Sequence, residues 1–143
     1  MTEVNQSSMH YQVRPTTVDP VLIHDEKILL VKRAKPPYKG SWVLPGGYID
    51  WNETAEQAVV RELWEETGVR SKVIRQVGVY SDPKRDPRQT IAVAFLLKRT
   101  GGRLKRDMDE TKDVRWFSLA KLPKLGFDHK KIVRDALKEL RKR

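Results

Sequence analysis

Three glutamates constrain this chain more than any other feature: Glu62, Glu65 and Glu66, spaced i, i+3, i+4 within Arg61-Glu62-Leu63-Trp64-Glu65-Glu66-Thr67-Gly68-Val69. On a helix they fall within a 100° arc at 100° per residue and project to one side. Ala55 and Ala58 share that arc, and Val59 and Leu63 flank it, so the face is not simply a solvated one. Like charges there repel one another, at a cost of a few tenths of a kcal/mol per exposed pair and more when partly buried. A multivalent cation removes the repulsion. Carboxylate oxygens suit hard ions, which makes Mg2+, with Mn2+ as substitute, the expected cofactor. Thr54 and Gln57 form a capping box, and Gly68 is a C-terminal stop, so the helix is predicted over Ala55–Thr67.

The stretch from Gly47 to Val69 carries Gly47, Glu53, Arg61, Glu62, Leu63, Glu65, Glu66, Gly68 and Val69 at the spacing G-x5-E-x7-R-E-U-x-E-E-x-G-U, where U is aliphatic. It resembles the Nudix box at every defined position. Seven of those residues are fixed types, each used at about 7% or less, so chance would give roughly one match in 10^8 start positions. The resemblance implies an α/β/α sandwich with a mixed central β-sheet. It also implies metal-dependent hydrolysis of a nucleoside diphosphate linked to another group. Glu62, Glu65 and Glu66 would be catalytic metal ligands, joined by a main-chain carbonyl near Gly46. Glu65 is either a third ligand or the base. Gly47, Glu53, Arg61 and Gly68 would be structural, with Glu53 pairing Arg61 to fix the loop to the helix.

A single domain suffices for 143 residues, large enough to bury about two-thirds of its unfolded surface. Residues Met1–His10 are polar, so residues 1–12 are expected as a leader and 13–143 as the domain. No apolar run reaches the ~18 residues of a membrane span, and no secretory signal pattern is present. With no cysteine, the chain has neither disulfides nor thiolate metal sites, and a cytoplasmic location is expected. The net charge of +10 raises nucleic acid as a partner. Much of the excess lies in Arg99–Arg106 and Lys130–Arg143 with no RNA-binding motif beside it, so a cationic surface attracting small nucleotides is the preferred reading.

Along the chain, Thr16–His24 is a predicted strand that Pro20 places at an edge or bulge. Ile28–Val31 is a buried strand, and Arg33 at its end either solvates the strand or reaches substrate phosphate. Trp42–Leu44 is a short strand before the Pro45-Gly46-Gly47 turn. Val73–Tyr80 and Thr90–Lys98 read as strands, the second apolar enough to be central. Between them, Ser81-Asp82-Pro83-Lys84-Arg85-Asp86-Pro87-Arg88 is a stiff charged loop whose arginines suit phosphate. It is similar to the ADP-ribose pyrophosphatase branch of Nudix hydrolases, although here Gln89-Thr90 replaces that branch's Gly-His-Thr. The similarity implies Arg85, Asp86 and Arg88 as substrate-binding residues and ADP-ribose as substrate, giving AMP and ribose 5-phosphate.

Thr100–Arg103 is expected to be a hairpin turn. Asp107-Met108-Asp109-Glu110 corresponds to an acidic segment of similar enzymes, with Glu110 favoured over Asp109 as a further catalytic acid. A strand at Asp113–Phe117 and a short helix from Ser118 to Pro123 follow. Asp128 is expected to cap a last helix whose stripe is Ile132, Val133, Ala136, Leu137 and Leu140. His129 reads as a structural partner. Similar enzymes are often homodimers, so a homodimer is expected. The rival activities are hydrolysis of an oxidised nucleoside triphosphate, a dinucleoside polyphosphate or a nucleotide sugar. Rivals of other classes are a module that binds ADP-ribose without cleaving it, and an RNA-binding or decapping protein.

Overall fold

A computed structural model describes residues 12–105 and 111–142. Strands β1 (Thr16–His24), β2 (Lys27–Arg33), β3 (Trp42–Val43) and β4 (Gly47–Tyr48) precede helix α1 (Ala55–Thr67). Strand β5 (Val69–Tyr80), a 3-10 turn at Pro83–Arg85, β6 (Ile91–Gly102), β7 (Thr111–Ser118) and helix α2 (His129–Arg141) complete the order. The seven strands form a mixed sheet in the order β3-β2-β1-β6-β5, with β4 also on β1 and β7 also on β2. Among the described strands only β1 and β6 pair in parallel, Thr16 opposite Ile91 through Leu22 opposite Leu97; the other strand pairs are antiparallel.

Alternation along the strands explains the layers. Val18, Leu22, Leu29, Phe95 and Leu97 pack with Ala58, Val59 and Leu63 of α1. Val21, Ile28, Leu30, Ala94 and Leu96 pack with Ile132, Val133 and Ala136 of α2. Neighbouring strand residues point to opposite faces, so each helix claims one face and the result is an α/β/α sandwich. Burying a leucine side chain in such a layer contributes about 1.5–3 kcal/mol, and Leu22, Leu63 and Leu97 are fully buried.

Strand β1 is central, not an edge. Its start pairs with β4 at Thr17 and Val18, its end with β2 at Ile23 and His24, and β6 runs along its other side. Pro20 lies in the fork between β4 and β2, so a proline is tolerated there without breaking a ladder on that side. This fork opens the sheet where the cavity described below lies. Two further expectations are corrected. Gly101 and Gly102 do not make a hairpin turn; they extend β6 opposite Arg70 and Val69. Ser118–Pro123 is no helix, because Lys121 N–H returns to Ser118 O at 3.0 Å and closes a single turn.

Helix α1 begins and ends as its sequence dictates. Thr54 N–H donates to Gln57 Oε1 at 2.9 Å and Gln57 N–H to Thr54 Oγ1 at 3.0 Å. At the other end Gly68, at φ 78°, returns its N–H to Trp64 O at 2.8 Å. A Cβ on Gly68 would lie 2.1 Å from Arg103 O, so conformation and space both demand glycine. The left-handed backbone alone would cost Gly68→Ala about 1–2 kcal/mol. Thermal unfolding should show Tm lowered by about 3 °C or more; an unchanged Tm would contradict this reading of the helix stop.

Candidate active site

One guanidinium organises the carboxylates. Arg61 donates to both oxygens of Glu53, Nε to Oε2 at 3.0 Å and Nη2 to Oε1 at 2.6 Å. Nη2 also reaches Tyr48 O at 3.1 Å, while Nη1 bridges Glu62 Oε2 at 3.1 Å and Glu65 Oε1 at 3.0 Å. The loop is tied a second time, as Asp50 N–H donates to Glu53 Oε1 at 2.7 Å. The bond from Arg61 and the one from Asp50 N–H hold the Glu53 pKa below its ordinary value. Its bond to Glu53 raises that of Arg61 in turn. Glu62 goes the other way: burial raises its pKa, against the opposing pull of Arg61.

The glycine turn fits against these acids without room to spare. Gly46 N–H donates to Glu66 Oε2 at 2.5 Å, and Glu66 is buried. A Cβ on Gly47 would lie 2.4 Å from the Glu62 carboxyl carbon. Gly46 and Gly47 therefore allow the main chain to lie directly on the two acids. Glu65, with its side chain 48% exposed, is the outermost of the three. Among the described residues no three acids or histidines surround one ion position. Arg61 Nη1 lies between Glu62 and Glu65, and Gly46 N–H engages Glu66. The donors are nevertheless all hard oxygens on one wall of one cavity, which fits a hard divalent cation in kind.

That cavity, about 350 Å³, is lined by Gly46, Gly47, Glu62, Glu65 and Glu66 together with Arg33, Arg85, Asp86 and Arg88. The sequence-predicted residues thus converge, but they do different things. Arg85 is turned inward: its side chain is 4% exposed, and it donates to Asp128 at 2.9 and 2.7 Å and to Thr90 Oγ1 at 2.8 Å. Asp128 thus spends its carboxylate on Arg85 and makes no side-chain cap on α2, contrary to expectation. Asp86 is buried and accepts from Arg88 N–H, Arg88 Nε and Nη2, and Thr90 Oγ1. Burial opposes its charge, yet these hydrogen bonds outweigh it and hold its pKa below the ordinary value. Arg88 is the more accessible arginine of the loop, 36% exposed, and Nη1 donates to Tyr48 Oη at 3.3 Å. Arg33 donates Nε to Pro37 O at 2.6 Å. Both guanidinium groups lie over Phe127, at 5.3 Å for Arg33 and 5.7 Å for Arg88. Glu110 and Asp109 lie outside the described residues.

Sequence reasoning assigned no site role to Asp19, Tyr48 or Phe127 and read His129 as a structural partner; all four line the cavity. Tyr48 lies at an undefined position of the box segment, and Phe127 opens a Phe-Asp-His run that resembles the ADP-ribose pyrophosphatase branch. Asp19 is a lone acid in an apolar strand, and that oddity was the available signal. His129 Nδ1 accepts from Leu44 N–H at 2.9 Å, so the ring proton sits on Nε2. Burial lowers the His129 pKa to about 3, so its 3.7 Å approach to Asp19 Oδ2 is not an ion pair. Burial pushes Asp19 up to about 7, with Arg85 opposing.

Residues 13–136 match the NUDIX domain family. An ADP-ribose pyrophosphatase of Methanocaldococcus jannaschii is 49% identical over 122 residues, 85% of this chain and 72% of that protein. A putative 8-oxo-dGTP diphosphatase of Bacillus subtilis is 42% identical, over 72% of this chain and 65% of its own length. Among solved structures, the NUDIX domain of Shewanella oneidensis NrtR complexed with ADP ribose aligns with TM-score 0.82 and 33% identity. That alignment covers 98% of this chain and 99% of the other. The chain belongs to the NUDIX family and is a Nudix hydrolase.

The raised Asp19 pKa fixes a sign for stability against pH. The folded protein keeps this proton up to about pH 7, whereas the unfolded chain releases it near the ordinary 3.8. The contribution is present in full below the unfolded value and is lost as pH rises toward 7. Relative to Asp19→Asn, the wild type should therefore lose stability from pH 4 to pH 7. Thermal unfolding of both proteins at pH 4, 5.5 and 7 measures this; a constant difference in Tm would contradict it.

Proposed function

We propose that the chain hydrolyses the pyrophosphate bond of ADP-ribose to AMP and ribose 5-phosphate, with Mg2+ as cofactor and Mn2+ able to replace it. The observation that carries the reading is one cavity lined by the box acids and by arginines together. Glu62, Glu65 and Glu66 stand beside the glycine turn, and Arg33 and Arg88 lie over Phe127. The 49% identity to an ADP-ribose pyrophosphatase supports this substrate over the rivals. Glu62 and Glu66, one turn apart, with Glu65 or the Gly46 carbonyl, would hold the cation. When bound, such an ion neutralises pyrophosphate charge and lowers the pKa of water.

The remaining steps belong to side chains. Arg88, fixed by Asp86, and Arg33 would bind the phosphates or terminal ribose within the same cavity. Arg85 would act on substrate through Asp128 and Thr90, by holding the loop that presents Arg88. Glu65, the most accessible of the three acids, would take a proton from water as it attacks phosphorus; Glu110 is a second candidate. The oxygen of water joins one phosphorus and the bridging P–O bond breaks, so no co-reactant is needed. Tyr48 and Phe127 offer aromatic surfaces to the base or ribose. A homodimer is the proposed assembly, supported by Ile74 and Val79 exposed on β5, the open edge of the sheet.

A panel of ADP-ribose, nucleoside triphosphates, dinucleoside polyphosphates and nucleotide sugars, assayed with Mg2+, tests the substrate by product identity. AMP and ribose 5-phosphate from ADP-ribose are expected; preferred cleavage of triphosphates would replace the reading with its rival. Glu66→Gln should lower kcat by about 100-fold or more with Tm little changed, because it weakens the cation site while relieving repulsion. A fully active Glu66→Gln protein would remove Glu66 from the cation site.

A further inference from the structure

We propose that Asp19 and His129 act as a positioning pair for the hydrolytic turn, holding Leu44–Gly47 in register with Glu66 from the α2 side of the sheet. The inference rests on the hydrolase reading and assigns two residues to it that the box does not contain. Asp19 is 6% exposed on β1, where Val18, Val21 and Leu22 are fully buried. An apolar residue would serve the core better there, since a buried carboxyl costs free energy unless it is well paired. Its Oδ2 has no hydrogen-bond partner among the described residues. A carboxyl kept in such a place invites an explanation outside packing.

Its two neighbours supply one. Gly46 lies so close that a Cβ there would sit 2.7 Å from Asp19 Oδ1 and 2.3 Å from Val18 O. On the other side, His129 Nε2 stands 3.7 Å from Asp19 Oδ2. Through its far nitrogen, His129 holds Leu44 N–H at 2.9 Å, and Gly46 N–H holds Glu66 at 2.5 Å. A continuous path therefore runs from Leu44 through His129, Asp19 and Gly46 to Glu66. At 3.7 Å the two side chains are in contact without a hydrogen bond. Loss of either side chain would loosen Leu44 and Gly46, and with them the main chain that lies on Glu62 and Glu66. Misplacement of a reacting geometry by about 1 Å costs on the order of 100-fold in rate. The pair should therefore govern turnover and leave substrate binding alone. Asparagine keeps the shape of the Asp19 side chain against Gly46 and His129, so the requirement on residue 19 is a side chain of that shape, not a charge.

The test compares full-length wild type, Asp19→Ala, Asp19→Asn, His129→Phe and the Asp19→Ala/His129→Phe double variant, with ADP-ribose and Mg2+. Each of Asp19→Ala and His129→Phe should lower kcat by about 10- to 100-fold with KM within about threefold. The double variant should lose no more than about threefold beyond the worse single variant, because both substitutions break one path. Asp19→Asn should restore kcat to within about threefold of wild type. Amide exchange at Leu44 and Gly46 should quicken in both single variants and in neither case spread to α1. Wild-type kcat in Asp19→Ala, losses that multiply, no recovery in Asp19→Asn, or unchanged exchange at Leu44 and Gly46 would each overturn the proposal. Should His129→Phe fail to fold, the two Asp19 variants decide. Should the wild type cleave nothing in the panel, the hydrolase reading falls, and amide exchange still judges the pair.

Discussion

Five hydrogen bonds from Arg61 join what would otherwise be separate pieces: the loop after β4 through Glu53 and Tyr48 O, and the helix acids through Glu62 and Glu65. Without a cation at that position, three glutamates on one helix face would push apart and the glycine turn would have nothing to lie against. A planar guanidinium suits the task because its donors form a rigid fork, bidentate to one carboxylate with the remaining nitrogen turned to two others. What lifts the pairing above an ordinary surface ion pair is bidentate geometry within a network of charges.

Around this tie the cavity gathers acids and arginines. The acids of α1 stand near Gly46 and Gly47, while two arginines of the Ser81–Arg88 loop are each oriented by a carboxylate. Asp86 orients Arg88, and Asp128 orients Arg85. These are different functions in one loop. Arg88 stays accessible and is presented toward the cavity, whereas Arg85 is buried as the internal brace that seats the loop on α2. Phe127 between two guanidinium groups adds a cation–π surface worth about 0.5–2 kcal/mol per contact.

The helix was legible to the residue, because its stop and start signals are local: a capping box at Thr54 and Gln57 and a left-handed glycine at 68 need no tertiary information. The acids and their arginine were legible from spacing alone. What stayed hidden depends on the fork of the sheet. Pro20 reads as an edge residue until β1 is seen to divide between β4 and β2. Gly101-Gly102 reads as a turn until β5 begins directly at Val69 and pairs with it. Arg85 and Arg88 are alike in sequence, and only burial separates the brace from the accessible cation. Asp19 and His129 lie 110 positions apart and meet only through the tertiary fold.

We propose that Arg61 shapes the hydrolytic site through the loop and the acids, without itself binding substrate. Steady-state kinetics of Arg61→Lys on ADP-ribose test it most directly, since lysine keeps the charge but loses the fork. Turnover should fall by about tenfold or more with KM within about threefold, as expected when a positioning group is loosened. A variant with wild-type kcat, or one whose loss lies wholly in KM, would contradict the account.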